Sequence, residues 1–157
     1  MIDLREMDKE LSRFEKKENK IYHQLAVKAG MSDSAFAILG CLYEEEVTTQ
    51  NDLAEFLWLP KQTVNSAVNK LVETGYVYLK KMKVARNNKS IHLTEKGDEL
   101  CKRYILPVVQ AEKRALLRMT EAEIKSLFLL SKKQSLFLQE ELSALLEEED
   151  VKHGTDS

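Results

Sequence analysis

Residues 49–96 contain the pattern that most constrains the fold of this chain: two short helices and then two β-rich runs, with few residues between them. Thr49 and Asp52 have the spacing of a helix start. Pro60 suits the first turn of the second helix, because the N–H that it lacks would have no partner there. Gly75 ends that helix, since glycine readily adopts the left-handed conformation after a helix C-terminus. The sequence therefore predicts two helices joined by a tight turn.

Two runs rich in β-branched and aromatic residues follow the second helix directly, at residues 76–84 and 90–93. Asn87 and Asn88 lie between them, and asparagine tolerates the backbone conformations of tight turns. The pattern predicts an antiparallel hairpin. Together with the two preceding helices, this hairpin makes a winged helix-turn-helix.

Helices with narrow apolar seams are predicted near both ends of the chain. Residues 4–25 carry apolar side chains at alternating spacings of three and four, interrupted only at Glu18, as in a coiled coil. This first seam consists of Leu4, Met7, Leu11, Phe14, Ile21 and Leu25. Thr120 and Glu123 form a capping box before the last helix. Its near-heptad seam consists of Ile124, Leu127, Phe128, Leu138, Leu142 and Leu145.

Two further helices complete the predicted order. Gly30 ends the first helix, and a second begins at Ser32 or Asp33. A fifth helix spans residues 94–119, and Pro107 should kink it. The predicted fold class is mainly α with a small β-hairpin wing, a winged helix-turn-helix flanked by long dimerisation helices.

Composition excludes several other classes of protein. The chain has 157 residues but only five Gly and two Pro, too few for a sandwich or barrel built on many tight turns. No apolar run approaches the ~20 residues needed to cross a bilayer. The N-terminal residues lack the apolar region of a signal peptide. We therefore expect a cytoplasmic protein that does not bind a membrane.

The sequence lacks the motifs of catalytic, metal and cofactor sites. Cys41 and Cys101 form no C-x-x-C pair and predict neither a disulfide framework nor a zinc site. His23, His92 and His153 are scattered, which argues against a metal sensor. There is no Gly-rich phosphate loop and no G-x-S-x-G elbow. We expect no enzymatic activity, no catalytic residue, no metal and no cofactor.

Basic residues concentrate in one segment of the chain. The net charge is −2, yet residues 60–96 hold eight basic residues against Glu73 and Glu95, a local charge of +6 that leaves −8 elsewhere. The basic residues are Lys61, Lys70, Lys80, Lys81, Lys83, Arg86, Lys89 and Lys96. Phosphate binding requires a local cationic surface rather than a basic protein. This separation of charge favours a binding surface over an ordinary solvated face.

The second helix of the pair has two contrasting sides. One side is apolar and carries Val64, Ala67, Val68, Leu71 and Val72. The other side carries Lys61, Gln62, Thr63, Asn65, Ser66, Asn69 and Lys70, with Glu73 as its only acid. Asn and Gln can bond adenine at two points, Ser and Thr can meet a base edge, and lysines suit phosphates. A solvated face would carry Glu–Lys pairs instead, so we interpret this side as a surface that reads the major groove of duplex DNA.

The hairpin adds a second set of cations. This wing set consists of Lys80, Lys81, Lys83, Arg86 and Lys89. Arg86 lies near the predicted tip, where an arginine can enter a minor groove because of its negative potential. A charged edge that blocks strand aggregation is the alternative, and the two roles are compatible.

The stretch TTQNDLAEFLWLPKQTVNSAVNKLVETGYV, followed by LTEKG, resembles the MarR family of winged helix-turn-helix transcriptional regulators. The resemblance covers nearly the whole chain, because the flanking helices also fall where that family has them. It implies a recognition helix over residues 61–74, a wing over residues 78–93, and a homodimer held by the first, fifth and sixth predicted helices. The implied domains are a helical dimerisation region at 1–30 and 100–147, a DNA-binding domain at 31–99, and a flexible acidic tail at 148–157.

The resemblance also implies a function and a form of regulation. It implies a repressor that binds inverted-repeat operators, with release when a small-molecule effector changes the spacing of the two recognition helices. Tyr22, Phe36 and Tyr43 would line the effector pocket. The chain departs from the family in having no acid beside Arg86, and in having Ser66 where many members have arginine.

Some interpretations compete with these. A winged-helix scaffold that binds only proteins is the alternative function, and salt distinguishes the two, because phosphate binding releases counterions and weakens as salt rises. Cys41 and Cys101 could sense oxidants, but we interpret them as small buried hydrophobic residues. Trp58, the single tryptophan, lies between the two motif helices and is interpreted as a core residue.

Overall fold

The structure of the chain, a computed structural model, describes residues 3–44, 49–81 and 89–153, with side chains as far as residue 146. In the described residues the order of elements is mainly helical with one hairpin. The elements are α1 (Leu4–Lys28), α2 (Asp33–Glu44), α3 (Gln50–Phe56), α4 (Lys61–Glu73), β1 (Val77–Lys81), β2 (Lys89–Leu93), α5 (Glu95–Tyr104), α6 (Leu106–Leu116) and α7 (Glu121–His153). The predicted fold class, a winged helix-turn-helix with long flanking helices, is confirmed.

Short-range hydrogen bonds set the ends of several helices where the sequence predicts them. Ser32 caps α2, since its hydroxyl accepts from the backbone N–H of Ala35 at 3.2 Å. The Thr49 hydroxyl accepts from the N–H of Asp52 at 3.2 Å. Gly75 has φ +74° and follows the last residues of α4, as predicted for a left-handed helix end.

The capping box at the start of α7 is formed in both directions. The Thr120 N–H donates to Glu123 Oε2 at 2.7 Å, and the Glu123 N–H donates to Thr120 Oγ1 at 3.3 Å. The N–H and the hydroxyl of Thr120 both donate to the Glu123 carboxylate, and they lower the pKa of that carboxyl because they favour its charged form. The start of α7 is therefore determined by four consecutive residues of the sequence.

Proline affects two helices differently from the prediction. Pro60 lies one position earlier than expected, as the N-cap of α4 with ψ 138°, and makes no side-chain cap. The predicted fifth helix is not one kinked helix but two, α5 and α6, which meet at Ile105. Pro107 has no N–H to donate to the carbonyl of Arg103, and its ring crowds that carbonyl, so the helix is interrupted at Ile105, two residues before the proline.

The hairpin pairs β1 and β2 in an antiparallel register in which Val77 faces Leu93 and Lys81 faces Lys89. An isolated bridge between Thr49 and Ser90 joins the start of α3 to the second strand. The predicted turn at Asn87 and Asn88 lies outside the described residues.

One apolar core joins the central elements. Its largest fully buried side chains are Ile38, Leu39, Leu53, Ile91, Val64, Val68, Val77 and Cys101. They come from α2, α3, α4, both strands and α5, so the apolar side of α4 is held against its neighbours. Cys41 and Cys101 are both buried, in agreement with the prediction.

Trp58 is not a core residue, contrary to the prediction. Its side chain is 86% exposed, and its backbone has φ +52°. The flanking Leu57 and Leu59 pack against the core instead. A position between two core helices does not determine where a side chain points. Here the left-handed backbone conformation of Trp58 turns its side chain to solvent.

The chain divides into two compact units, Met1–Gln110 and Ala111–Ser157. In the first unit, the predicted seam of α1 is solvent-exposed from Leu4 to Ile21, whereas Leu25 packs on the core. In the second unit, α7 exposes apolar side chains around its circumference. None of the described helices alone is long and apolar enough to cross a membrane, and α1 with α2 would reach that length only as a pair bent by 87°.

Candidate nucleic-acid interface

Helix α4 presents its polar side to solvent because its apolar side is anchored in the core. Val64, Val68 and Leu71 are buried at spacings of three and four. The side chains predicted to read DNA lie on the remaining surface. Lys61, Gln62, Asn65, Ser66, Asn69 and Lys70 are exposed, and Thr63 is half-buried. The structure therefore brings these seven residues together on one surface of one helix.

This surface is poor in acidic side chains and contains one weak ion pair. Lys70 Nζ lies 3.6 Å from the Glu73 carboxylate, and both side chains are exposed. A solvent-exposed pair of this kind contributes little energy, so Lys70 can still turn to another anion. Lys61, at the helix N-terminus, is exposed as well.

The described part of the wing carries three exposed lysines close to one another. Lys80, Lys81 and Lys89 are exposed, and Lys81 and Lys89 are direct partners across the two strands. Directly opposite side chains lie on the same face of a sheet, where like charges destabilise the pairing. An anion between the two ammonium groups would relieve this repulsion. Lys83 and Arg86 lie outside the described residues.

Lys96 differs from the other described cations of this segment because its ammonium group is hydrogen-bonded to the backbone of the chain. Its Nζ donates to the carbonyl of Thr74 at 2.7 Å and lies 4.6 Å from the ring centre of Tyr76. A cation at a helix C-terminus is favoured by the helix dipole. Lys96 therefore stabilises the end of α4, and the local charge of +6 overstates the charge that can face a ligand.

A surface groove of about 570 Å³ runs beside α4. One wall consists of Pro60, Gln62, Thr63, Ser66, Ala67 and Lys70, and the other consists of Ser32 and Ser34. The two serines stand at the start of α2. The groove adds hydroxyl groups from a second helix to the polar surface of α4.

Comparison with known proteins identifies this arrangement. The sequence of residues 29–81, from before α2 to the end of β1, matches the model of the MarR family. Over these residues the chain is similar to the MarR family. No protein with curated annotation matches the chain in sequence.

Solved structures extend the likeness in fold to about nine-tenths of the chain. A MarR family regulator from Neisseria meningitidis superposes with a TM-score of 0.73 at 18% identity, over 92% of this chain and 99% of that one. A MarR family transcriptional regulator from Listeria monocytogenes, solved with a 26-mer DNA, has a TM-score of 0.71 at 22% identity, over 94% and 96%. A MarR/EmrR family regulator from Acinetobacter has a TM-score of 0.68 at 23% identity, over 88% and 99%. The chain has the MarR fold, that of a family of transcriptional regulators.

The three residues that the MarR resemblance implies for an effector pocket differ in their burial. Phe36 is buried in the core, Tyr43 is half-buried against it, and Tyr22 is exposed on α1. They do not line the groove beside α4. A second groove, of about 590 Å³, contains residues of α1, α2 and the α3–α4 turn, but none of these three. It is lined by His23, Ser32, Asp33, Ser34, Ala37, Leu57 and Leu59.

Three residues near α4 were not predicted from the sequence to contribute to this surface. Ser32 and Ser34 reach the side of α4 only because α2 packs against it. Trp58 stands exposed two residues before Pro60. No local sequence pattern predicts that the two serines lie beside α4. For Trp58, the only available sign was its position at the end of a short helix, just before Pro60. Among the described residues, no three His, Cys, Asp or Glu side chains are grouped to hold a metal ion.

Proposed function

We propose that this MarR-fold chain is a sequence-specific transcriptional regulator, a repressor, that binds inverted-repeat operators in duplex DNA as a homodimer. Residues 31–99 form the DNA-binding domain, and residues 1–30 and 100–147 form the dimerisation region, followed by an acidic tail at 148–157. In this proposal α4 lies in the major groove and the wing lies at the adjacent minor groove.

The observation that carries the proposal is the uncharged, hydrogen-bonding surface of α4. Gln62, Asn65, Ser66 and Asn69 are exposed while the opposite side of the helix is buried. These side chains offer both donors and acceptors, which is what discrimination among base edges in the major groove requires. Buried anchors on one side hold the polar side in a defined orientation, so the readout is preorganised.

Exposed lysines surround this surface at positions suited to phosphates. Lys61 stands at the start of α4, and Lys80, Lys81 and Lys89 stand on the wing. Contacts to phosphates position a protein on the duplex, while contacts to base edges select the sequence. A MarR family regulator from Listeria monocytogenes with a similar fold was solved with a 26-mer DNA, which supports DNA as the ligand proposed here.

Exposed apolar seams support a second subunit. Met7, Leu11 and Phe14 on α1 are about half exposed, and so are Leu138 and Leu142 on α7. On α7, Leu129, Leu130, Leu136 and Phe137 are also exposed, on the side opposite the predicted seam. A helix with apolar residues all round is stable when other elements cover it. A homodimer would supply that cover.

Dimerisation would also account for operator symmetry. Two recognition helices on a two-fold axis would lie about one helical turn apart, ~10 bp, and read an inverted repeat. An effector that alters this spacing by a few ångströms would release the DNA, if it binds one spacing better than the other. We propose Tyr22, Phe36 and Tyr43 as its contacts, which would require a rearrangement that exposes Phe36.

The direct test measures DNA affinity at two salt concentrations. The probe is duplex DNA from upstream of the chain's own gene, and a mixed-sequence duplex serves as comparison. Affinity should fall about a thousandfold or more between ~50 mM and ~200 mM salt, because each dimer would neutralise several phosphates. Absence of binding at the lower salt concentration would contradict the proposal and favour a protein-binding scaffold.

Two substitutions separate base reading from phosphate binding. Asn65→Ala should reduce the preference for the upstream duplex by about 1–3 kcal/mol, because a base contact is lost. Lys81→Ala should weaken binding to both duplexes alike and lower the slope of affinity against salt by about one. Asn19→Ala on α1 and Lys132→Ala on α7 are matched controls that should change neither quantity. Equal losses on both duplexes for Asn65→Ala would refute its assignment to base reading.

A further inference from the structure

Trp58 occupies a backbone position that favours glycine. Its φ of +52° follows the last turn of α3, where its N–H donates to the carbonyl of Glu55 at 3.3 Å. The N–H of Leu59 donates back to the carbonyl of Ala54 at 3.1 Å. These two bonds are a Schellman helix end, whose left-handed residue is usually glycine. A side chain with a Cβ is strained in this conformation, and tryptophan is among the bulkiest.

Among the described residues, packing contributes little stabilisation that would offset this strain. Trp58 is the most exposed of the large hydrophobic side chains in the described residues, at 86%. The adjacent Leu57 and Leu59 make the contacts with the core. Backbone strain held without an internal contact is typical of residues that act on a ligand. The exposed indole is therefore available to a ligand outside the chain.

The position of Trp58 identifies the ligand that can reach it. It precedes Lys61, the first residue of the proposed recognition helix, by three residues, and three residues span at most about 10 Å. The phosphates that border a major groove about 12 Å wide lie within that reach when α4 enters the groove by its N-terminus. The indole N–H is a donor only, and phosphate oxygens are acceptors.

We propose that Trp58 lies against the sugar–phosphate backbone of the duplex beside α4, with its Nε1–H donating to a phosphate oxygen. This inference rests on the proposed DNA-binding function and assigns a contact residue outside α4 and the wing. Because the contact is to the backbone, Trp58 positions the protein on DNA and does not select its sequence. A second copy of the chain is a poorer occupant, because Trp58 lies three residues before Lys61 and belongs to neither of the exposed apolar seams.

Intrinsic fluorescence tests this contact directly, since Trp58 is the only tryptophan. The full-length protein is titrated with a mixed-sequence duplex of about 30 bp, which is long enough for two recognition helices one helical turn apart to contact it. Labelled-DNA anisotropy measures binding in parallel. Saturating DNA should shift the indole emission and reduce its quenching by acrylamide severalfold. Unchanged quenching in a complex that anisotropy shows to be formed would overturn the contact while leaving the proposed function intact.

Substitution provides the second readout. Trp58→Gly should weaken binding about tenfold on all sequences, as expected for loss of one hydrogen bond to a charged phosphate, without lowering the urea midpoint. Phe56→Ala removes another exposed aromatic, 54% exposed and two residues away, and should leave affinity unchanged. Wild-type affinity in Trp58→Gly, or equal losses in both variants, would overturn the proposal. So would shielding of the indole by self-association without DNA. Failure of the wild type to bind any duplex at low salt would instead refute the proposed function.

Discussion

At the scale of single residues, burial decides the chemistry of Cys101. Its side chain is fully buried, and its Sγ lies 3.9 Å from the carbonyl oxygen of Leu39. Burial, with a smaller contribution from the Asp98 charge, raises the thiol pKa from 9.0 to about 12. The thiolate is the reactive form of cysteine, so this thiol is protected from oxidants at neutral pH. Cys101 acts as a small core residue.

The raised pKa predicts a pH dependence of stability. The folded chain keeps a proton that the unfolded chain releases above pH 9.0, so the contribution is complete below that pH and is lost as pH rises towards about 12. In that window the free energy of unfolding should fall more steeply for wild type than for Cys101→Ala, by up to about 1.4 kcal/mol per pH unit. Urea unfolding at several alkaline pH values measures both slopes. Parallel slopes would show that the thiol titrates normally in the folded chain.

At the scale of elements, the junction of α4, β1 and α5 holds α4 and the hairpin together. The Thr94 hydroxyl donates to the carbonyl of Gly75 at 2.7 Å and accepts from the N–H of Gly97 at 3.0 Å. Lys96 bonds the carbonyl of Thr74. The LTEKG sequence therefore links the end of one proposed DNA-binding element to the start of the other.

Gly97→Ala should disrupt this junction. A Cβ at position 97 would overlap the backbone oxygen of Tyr76 and crowd Leu93, and backbone cannot rotate away as a flexible side chain can. We expect a loss of about 2–3 kcal/mol in the free energy of unfolding, measured with urea. Gly40→Ala is the matched control, because a Cβ there meets nothing within 4 Å and alanine favours the helix. Equal stability in the two variants would contradict the close approach of α5 to Tyr76.

At the scale of the whole molecule, the exposed apolar side chains of α1 and α7 favour an interface with another chain. Leu4 is 75% exposed on α1, and Phe128 and Leu146 are about two-thirds exposed on α7. Contiguous apolar surface of this kind on a monomer is a mark of an interface. In the proposed dimer, both compact units of the chain would therefore contribute apolar surface to the interface.

A charge placed in either seam should dissociate the dimer. Phe14→Glu and Leu142→Glu would each bury an unpaired carboxylate in the proposed interface, which is strongly unfavourable. Light scattering should give twice the 18.1 kDa of one chain for wild type and a single chain for both variants. Asn19→Glu, on the exposed side of α1 away from the seam, should remain dimeric. A monomeric wild type would refute the homodimer.

Local sequence determined the elements and the direction in which most of them face. The spacing of Val64, Val68 and Leu71 places the opposite side of α4 in water, and Gly75 and the capping boxes locate the helix ends. These features follow from helix geometry and from hydrogen bonds between residues two to four apart. The residues that make up the polar surface of α4 therefore follow from the sequence alone.

Only the tertiary structure decided which elements meet and which charges remain available. Ser32 and Ser34 join the groove beside α4 through the packing of α2. Lys96 looks like one more cation in the sequence, but the fold places it on the carbonyl of Thr74. Trp58 is apolar and lies between two core helices, yet a single left-handed residue turns it to solvent. Each outcome depends on contacts between distant residues, or on a backbone reversal, that no local periodicity encodes.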